Sequence, residues 1–358
     1  MKRICWFISA HGFGHAARST AIMEALFNKH KDIEFLVVSE IQPWFFEQNK
    51  LPITFFSTKT DVGLVQKDAF FEDIPKTVEH LNAFYFNLNS RFRAWDEVIT
   101  PFKPDLIVAD ICPAALDYAD SRNIPSTLIE NFTWNWLYEF YPAYQLELAP
   151  ILSYMDSAWK KANLHIQMKP YCGDALSHSK ISVPVSRKVK DFQVAEKLNI
   201  DSAKKTILMT MGGVPMEFDF YERLKELKNV QFIIPGAHKE IKFEDNLRLL
   251  THHSIYYHPD LVHASDVVIA KVGYSTLAEV HNAGTRLAYI PRYHFRETEP
   301  LVQFVKDEMS GLEIHVDDLN SGNWISRIDE LLNLSVNDSK KINGADFVAN
   351  EMSNLIAL

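Results

Sequence analysis

A glycine-containing loop near the amino terminus has the composition of a ligand-binding turn. It reads Ser-Ala-His-Gly-Phe-Gly-His-Ala-Ala-Arg over residues 9–18. Gly12 and Gly14 let the backbone turn tightly and approach a ligand closely. His15 stands where a helix is predicted to begin, and the positive end of the helix dipole favours a neutral imidazole there. Because a neutral imidazole can take a proton from a hydroxyl, His15 is a candidate general base.

Two other interpretations of this loop stay open. The spacing of Gly12, Gly14 and Ala17 fits the fingerprint of a dinucleotide-binding turn, and Glu40, at the end of the next predicted strand, has the place of its ribose-binding acid. An NAD-dependent dehydrogenase is therefore a rival hypothesis. Alternatively, His15 is only a hydrogen-bonded residue at the start of the helix.

A second cassette, residues 266–279, has the pattern of a phosphate-binding turn. An apolar strand is followed by Lys-Val-Gly-Tyr-Ser-Thr-Leu-Ala-Glu. Gly273 permits a tight turn, and the backbone N–H groups near Tyr274, Ser275 and Thr276 can bind phosphate at a helix N-terminus. The carboxylate of Glu279 can accept hydrogen bonds from ribose hydroxyls. The simpler interpretation makes the two hydroxyl residues N-caps and the glutamate a partner of the helix dipole.

Two further loops follow predicted strands and add to this pattern. Gly212 and Gly213 come after the strand predicted over 206–210. Arg292 and Glu297 come after the strand predicted over 287–290, where an arginine can balance phosphate charge and a glutamate can bind sugar hydroxyls. Each loop alone fits a solvated surface turn, but the ordered set favours a nucleotide-binding site.

Other side chains with possible chemistry are less specific. Asp110 follows a buried strand and is a possible partner that orients His15 or an acceptor, although a helix N-cap is the simpler interpretation. Trp134 is the aromatic residue most suited to stacking on a sugar or lipid, whereas most aromatic residues belong to the core. A group of histidines matches no metal-ligand spacing and is interpreted as structural: His252, His253, His258 and His263.

The elements that must position these residues alternate between strands and helices. The continuous apolar run 4–8 predicts a parallel strand covered on both faces. Further short runs rich in apolar residues are also predicted as strands: 33–38, 106–109, 126–129, 206–210, 230–234, 267–270 and 287–290. We therefore predict an α/β protein with two doubly wound, Rossmann-like domains facing across a cleft. The expected division is 1–168 for the first domain, 169–202 for the connection, 203–340 for the second domain and 341–358 for a C-terminal helix.

Composition excludes several classes of function. The 358 residues carry a formal net charge of -9, which argues against nucleic acid as a partner and weakens, without excluding, attachment to an anionic membrane. Three cysteines cannot form a disulfide framework, and no apolar run approaches the roughly 20 residues of a spanning helix. The apolar run at the amino terminus is shorter than that of a signal peptide, so a cytoplasmic location is expected.

Taken together, these segments resemble the GT-B glycosyltransferases, in particular the branch of peptidoglycan lipid-intermediate GlcNAc transferases. They resemble more closely the glycosyltransferase-like N-terminal half of plant L-arabinokinase, whose kinase half has no counterpart here, so sugar kinase activity is not implied. The resemblance is carried by 9–18, 61–68, 131–134, 271–279 and by Arg292 with Phe295 and Glu297.

The resemblance implies a nucleotide-sugar donor, of the UDP-sugar type among others, bound by the C-terminal domain. Gly212 and Gly213 would lie near the diphosphate, the turn from Gly273 to Thr276 would contact phosphate, and Glu279 matches a ribose-binding glutamate. Glu297 lies where donor-sugar contacts are made. His15 matches a histidine that faces the acceptor, and the other residues expected on that side are Gly12, Phe13, Gly14, Arg18, Asn131 and Trp134.

The functional hypothesis is a glycosyltransferase that moves a sugar to a hydroxyl of a sugar or lipid-linked acceptor. No metal cofactor is expected, because GT-B enzymes generally need none, and the sequence has no Asp-x-Asp motif. A nucleotide-sugar hydrolase or epimerase on the same fold, and a non-catalytic nucleotide-sugar-binding module, remain alternatives.

Overall fold

The computed structural model describes residues 1–66, 71–176, 178–212, 218–335 and 341–357. The chain divides into two compact units, one formed by Met1–Val185 with Asn343–Leu358 and the other by Ser186–Ile342. Each unit has its own seven-stranded sheet, connected by helices. The predicted α/β class with two doubly wound domains is therefore confirmed.

The first unit contains most of the longer helices. Its elements in chain order are β1 (Lys2–Ile8), α1 (Phe13–Lys29), β2 (Ile33–Ser39), α2 (Trp44–Glu47), β3 (Ile53–Ser57), α3 (Ile74–Phe86), α4 (Leu88–Phe102), β4 (Leu106–Asp110), α5 (Pro113–Ser121), β5 (Ser126–Glu130), α6 (Trp134–Tyr138), a 3-10 turn (Pro142–Tyr144), α7 (Gln145–Trp159), β6 (Leu164–Met168) and β7 (Lys180–Ser182). The sheet order is β3-β2-β1-β4-β5-β6-β7, and every neighbouring pair is parallel.

The centre of this sheet is formed by β1 and β4. Residues 4–8 are completely buried, as expected for a strand covered on both faces. The register pairs Ile4 with Leu106 and Ile8 with Asp110, so both strands end at the same edge. Because loops after adjacent parallel strands meet at this edge, the glycine loop after β1 comes close to Asp110.

The second unit repeats the alternation of strands and helices. Its elements are α8 (Val194–Lys197), β8 (Lys205–Thr210), α9 (Tyr221–Lys225), β9 (Val230–Pro235), β10 (Lys242–Glu244), β11 (Leu247–Leu250), α10 (His258–His263), β12 (Val267–Lys271), α11 (Tyr274–Ala283), β13 (Arg286–Ile290), α12 (Thr298–Glu308), β14 (Gly311–Glu313), α13 (Val316–Ser321), a 3-10 turn (Asn323–Arg327) and α14 (Ile328–Leu332). The sheet order is β10-β11-β9-β8-β12-β13-β14, with β10 antiparallel to β11 and the other pairs parallel.

A last helix, α15 (Ala345–Leu355), returns to the first unit. Val348 and Met352 are fully buried in the same apolar cluster as the inner face of α1. The ammonium of Lys2 donates to the carbonyl oxygen of Ile356 at 2.9 Å. The segment expected as a separate C-terminal helix thus completes the core of the first unit.

The segment 169–202, expected to connect the domains, contributes to both units. Strand β7 pairs with β6 at the edge of the first sheet, whereas α8 belongs to the second unit. The prolines that suggested a linker, Pro170 and Pro184, lie on either side of this short edge strand and not within it.

Two further properties concern the whole chain. All three cysteines are buried and none forms a disulfide. Within the described residues, no helix combines the length and the apolar character needed to cross a membrane.

Candidate functional site

The glycine loop after β1 turns the chain directly into α1. Gly12 is the N-cap of this helix with a φ of 85°, a conformation that favours glycine, and no side chain caps the helix. Phe13 follows, and its ring stacks on Phe45 with a centroid separation of 5.1 Å. Gly14 and His15 complete the first turn, and His15 is buried. His15 therefore lies in the first turn of α1, but the N-cap position itself belongs to Gly12.

The imidazole of His15 lies against the carboxylate of Asp110. Its Nδ1 is 2.8 Å from Oδ1 of Asp110 and 2.9 Å from Nη2 of Arg18. Because a guanidinium can only donate, Nδ1 either donates to the carboxylate or accepts from Arg18. In the first tautomer the lone pair that can accept a proton is on Nε2. The structure therefore brings together the two residues proposed from sequence as base and orienting partner.

Asp110 is ionised by its neighbours. Burial raises the pKa of this carboxyl, but the charge of Arg18 and the interactions with His15 and Arg18 have the larger, opposite effect and lower it to about 2. The Arg18 Nε donates to Oδ2 at 2.9 Å, and the Ser19 hydroxyl donates to the same oxygen at 2.6 Å. The N-cap of α5 is Cys112, so the simpler interpretation of Asp110 as a helix cap is wrong.

Asn131 and Trp134 support this arrangement from within the core. The amide oxygen of Asn131 accepts from Arg18, and its Nδ2 donates to the carbonyl oxygens of Met168 and Pro170 at 2.6 and 3.0 Å. Trp134 is 0% exposed, and its ring stacks on another buried ring of α6. A ring without an exposed face cannot stack on a sugar, so the expectation for Trp134 is wrong.

In the second unit, the turn after β12 leaves the N-terminus of α11 uncapped. Gly273 is the N-cap, no side chain hydrogen bond caps the helix, and its first turn has no acidic residue. Tyr274, Ser275 and Thr276 form that turn, and the hydroxyl residues are not its N-caps. The backbone N–H groups at the N-terminus of a helix attract an anion.

Lys271 and Gly212 lie beside each other near this turn. Gly212 follows β8 with a φ of 65°, and a Cβ added to it would lie 4.0 Å from Nζ of Lys271. Burial lowers the pKa of Lys271 to about 8, an effect strengthened by Arg292 and opposed by Glu297. Gly213, the other glycine expected near a diphosphate, lies outside the described residues.

Arg292 and Glu297 form an ion pair after β13. The Nη2 of Arg292 is 2.8 Å from Oε1 of Glu297, and its guanidinium lies over the ring of Phe295. The side chain of Arg292 is only 10% exposed, and its buried Nε has no hydrogen-bond partner among the described residues. A buried donor without a partner is costly, so this group has capacity for an acceptor atom of a ligand.

The carboxylate of Glu279 is already bound by two protein groups. Arg187 donates from Nε to Oε1 at 3.0 Å, and Nδ1 of His258 lies 2.6 Å from Oε2. The Nε2 of His258 contacts the hydroxyl of Thr210 at 3.3 Å. Burial alone raises the pKa of Glu279, but Arg187 and His258 together hold it below its usual value.

Sequence reasoning missed Arg187, His258 and Lys271 as site residues. Arg187 stands in the segment expected as a connection, and His258 had been placed among structural histidines. Arg187 and His258 lie so far from Glu279 along the chain that no sequence spacing links them to it. Lys271 had a usable signal, because it ends a buried strand directly before a glycine turn. Among the described residues, no group of three or more histidine, cysteine or acidic side chains is arranged to hold a metal ion.

Comparison with known proteins shows that the chain is similar in sequence to two sugar-handling enzymes. Over 362 aligned residues, 24% are identical to L-arabinokinase of Arabidopsis thaliana, covering 96% of this chain. The chain spans only 33% of the length of that relative. Over 305 residues, 21% are identical to the UDP-N-acetylglucosamine–N-acetylmuramyl-(pentapeptide) pyrophosphoryl-undecaprenol N-acetylglucosamine transferase of Bacillus pumilus, covering 78% of this chain and 76% of the relative.

The fold is shared with solved glycosyltransferase structures. UGT2 of Phytolacca americana, solved with UDP-2-fluoro-glucose and pterostilbene, superposes with a TM-score of 0.62 at 13% identity, covering 100% of both chains. The predicted GT-B fold is therefore confirmed. The family model for glycosyl transferase family 1 matches residues 2–328. With both cassettes inside that match, the chain belongs to glycosyl transferase family 1.

Proposed function

We propose that the protein transfers a sugar from a nucleoside diphosphate sugar to a hydroxyl group of an acceptor, without a metal ion. The observation that carries the donor half is the anion site of the second unit, defined as Gly212, Lys271, Arg292 and the uncapped turn at Gly273. This site suits a diphosphate because it combines two cationic side chains with a helix N-terminus that no side chain caps. The buried Nε of Arg292 has no hydrogen-bond partner among the described residues and can bind a phosphate oxygen.

The same site suits the leaving group of the reaction. Transfer breaks the bond between the sugar C1 and the diphosphate oxygen, which gains negative charge. Lys271, Arg292 and the N–H groups of α11 can stabilise that charge without rearranging, which is the usual source of the largest rate effect. Glu297, paired with Arg292, is proposed to bind hydroxyls of the donor sugar.

Glu279 is proposed to bind the ribose, together with the residues that hold it. Each carboxylate oxygen can accept two hydrogen bonds, so a ribose hydroxyl can add to those from Arg187 and His258. The names of the Bacillus and Phytolacca proteins mention a UDP sugar, which makes UDP sugars the first donors to test.

His15 is proposed as the base for the acceptor hydroxyl. With Nδ1 donating to Asp110, Nε2 takes the proton while the acceptor oxygen forms its bond to C1. The carboxylate of Asp110, which stays ionised, stabilises the imidazolium that results. Gly12, Phe13 and Gly14 are proposed to shape the acceptor side. Arg18 is proposed to hold Asp110, and Asn131 to hold Arg18.

Thermal unfolding with a panel of nucleoside diphosphates tests the donor half. UDP, GDP, TDP and NAD are each added to the protein, and a ligand at 100 times its Kd should add about 2.7 kcal/mol of stability. We expect a selective shift with one diphosphate and its loss in Lys271→Met, with Lys205→Met as the control. Lys205 is an exposed lysine of the same unit that pairs with Asp266. A shift with NAD alone contradicts the proposal.

Release of the diphosphate from the matching sugar donor then tests the reaction. A transferase releases it only when an acceptor is present, and hexoses and lipid-linked sugars are the acceptors to screen. Release in water alone identifies a hydrolase. Tight binding of an intact donor with every acceptor identifies a binding module.

A further inference from the structure

Asp61 is a buried acid at the carboxyl edge of the first sheet that the proposed transfer does not use. It follows β3, and only 5% of the residue is exposed. Asp61 begins the described part, 61–66, of a segment that sequence analysis singled out without giving any role to this carboxyl. Three neighbouring segments supply its partners.

Each carboxyl oxygen of Asp61 accepts a hydrogen bond from a different loop. The hydroxyl of Ser9, directly after β1, lies 3.2 Å from Oδ1. The indole Nε1 of Trp134, at the start of α6, donates to Oδ2 at 2.9 Å. The thiol of Cys112, which precedes α5, is 3.7 Å from the same oxygen. One carboxyl therefore joins the loops that follow β1, β4 and β5.

These contacts continue to both ends of the glycine loop. The Ser9 hydroxyl accepts from the backbone N–H of His11 at 3.4 Å, and the His11 ring packs edge-on against Trp134 at 5.7 Å between centroids. Phe132 packs edge-on against Trp134 at 5.4 Å and against His15 at 6.1 Å. Asp61 is thus connected to the His15 imidazole through two packed rings and through the backbone of the loop.

The His11 ring packs directly against the backbone of Gly63, in space that a side chain there would fill. A Cβ added to Gly63 would lie 2.4 Å from Nδ1 of His11, far inside contact distance. The hydroxyl of Tyr138 donates to the carbonyl oxygen of Val62 at 2.5 Å, which fixes the segment after Asp61 to α6. Asp61 and the segment that follows it are therefore both hydrogen-bonded to α6.

We propose, on the basis of the transfer proposed above, that Asp61 is a positioning residue: by accepting hydrogen bonds from Ser9 and Trp134 it holds the glycine loop where Asp110 orients His15. It acts through these two residues and does not touch the substrate. Removal of its hydrogen-bonding capacity should displace His15 and slow transfer, while the donor site in the second unit stays intact.

The ionisation of Asp61 supports this role. Burial raises its pKa to about 7, despite the hydrogen bonds from Trp134, Ser9 and Cys112, and the charge of Asp110 raises it as well. The titratable groups that face it are Asp110 at the end of β4, Cys112 just after that strand, Tyr138 of α6, Tyr85 of α3, and His11 through Trp134. Two neighbouring acids with pKa values pushed apart are typical of a site that handles protons.

Protonation changes the direction of one hydrogen bond. The ionised carboxyl accepts from the Ser9 hydroxyl, whereas a carboxyl protonated at Oδ1 donates to it. The hydroxyl that anchors the N–H of His11 must then reorient. The conformation of the glycine loop is therefore expected to differ slightly below and above pH 7.

Nuclear magnetic resonance of the indole N–H groups tests the contact without any substrate. The Trp134 resonance is assigned by its loss in Trp134→Phe, and its shift is followed from pH 5 to 9. We expect a titration with a midpoint of about 7 that disappears in Asp61→Asn. It should persist in Asp117→Asn, the matched control, because Asp117 pairs with Lys161 and Tyr154 away from the glycine loop.

The His15 imidazole resonances test the positioning role. They should shift in Asp61→Asn, and also in Trp134→Phe, which keeps an aromatic ring but removes the N–H donor, and not in Asp117→Asn. Unchanged His15 resonances in both variants overturn the proposal. If Asp61→Asn does not fold, as judged by circular dichroism, the Trp134→Phe result decides.

Turnover separates this proposal from the proposed function. In Asp61→Asn the rate of diphosphate release should fall at least tenfold, while the thermal shift caused by the diphosphate stays as in the parent protein. A release rate equal to that of the parent protein overturns the positioning role. If the parent protein itself releases no diphosphate from any donor, the transferase proposal fails, whereas the His15 resonances still decide whether Asp61 positions the loop.

Discussion

The Nδ1 of His258 lies 2.6 Å from Oε2 of Glu279, while Arg187 holds the other carboxylate oxygen. Glu279, which the sequence predicted as a ligand of the ribose, is therefore already paired with two side chains of the protein itself. Its side chain is 3% exposed and that of Arg187 is 7% exposed. In the proposed ribose site a sugar hydroxyl would have to join this buried arrangement, so we expect nucleotide binding and the stability of the second unit to depend on the same carboxylate.

Replacement of Glu279 is expected to destabilise the fold as well as to weaken nucleotide binding. Glu279→Ala leaves Arg187 buried without its charge partner, and breaking a buried pair in this way costs about 3 kcal/mol of unfolding free energy. Urea unfolding measures this loss, and titration with the diphosphate measures the affinity. Glu330→Ala, which breaks an exposed pair with Arg327, is the control and should leave stability nearly unchanged. Unchanged affinity would remove Glu279 from the ribose site.

Removal of the His15 imidazole should stop transfer without affecting the donor. His15→Ala is expected to reduce the rate of diphosphate release by a factor of about 10² or more, since a general base contributes on this order. The thermal shift caused by the diphosphate should be the same as in the parent protein. His315→Ala, at an exposed position of the second unit, serves as the control. Turnover at the parent rate would show that another group is the base.

The carboxylate of Asp110 should stabilise the first unit above pH 4 and lose that effect in acid. Its pKa is about 2 in the folded chain and roughly 3.9 when unfolded, so the unfolded state binds the proton first as the pH falls. The linked stabilisation, about 2.6 kcal/mol, is complete above the unfolded pKa and disappears toward pH 2. Unfolding free energies of the parent protein and Asp110→Asn, measured between pH 2 and 6, should converge at the acid end. Parallel curves would contradict the low pKa.

The affinity for a nucleoside diphosphate should fall as the pH rises above about 8. Lys271 has a pKa of about 8, so that its ammonium, which is needed to pair with phosphate, is lost above that pH. Lys271→Arg should keep the affinity constant up to pH 9.5, because a guanidinium stays charged. Lys271→Met should weaken binding about tenfold or more at pH 7, the value of a charge-assisted hydrogen bond. Calorimetric titrations across this pH range measure both effects, and an unchanged affinity in Lys271→Met would place the phosphate elsewhere.

Chelation of divalent metal is expected to leave transfer unchanged. In the proposed mechanism Lys271, Arg292 and the N-terminus of α11 take the charge that a metal ion would otherwise neutralise. The rate of diphosphate release is compared with EDTA and with added Mg²⁺. A loss of activity in EDTA that Mg²⁺ restores would contradict the metal-independent mechanism.

Local pattern was enough to predict the two sheets and the loops that follow their strands. The apolar runs that became β1, β4, β8 and β12 are continuous, because each strand is covered on both faces. A loop after such a strand lies at the carboxyl edge of its sheet. For that reason the proximity of His15 to Asp110 could be proposed from two distant segments.

The contacts within the candidate site depend on tertiary packing, which the spacing of residues in the sequence does not reveal. Trp134 looked like a stacking residue because its surroundings are aromatic, yet the same aromatic density buries its ring. Arg187 reaches Glu279 from a segment whose lysines and prolines suggested a linker. Tertiary neighbours also decided the charge states of two buried aspartates. Burial raises the pKa of both, but Asp110 has Arg18 beside it and stays ionised, whereas the pKa of Asp61 rises to about 7.

The return of α15 to the first unit has a consequence for biosynthesis. The core that surrounds α1 is not complete until residues 345–355 have left the ribosome, after the whole second unit. The second unit, by contrast, is one continuous stretch that can fold as soon as it emerges. Until then the first unit exposes the apolar surface that Val348 and Met352 later cover.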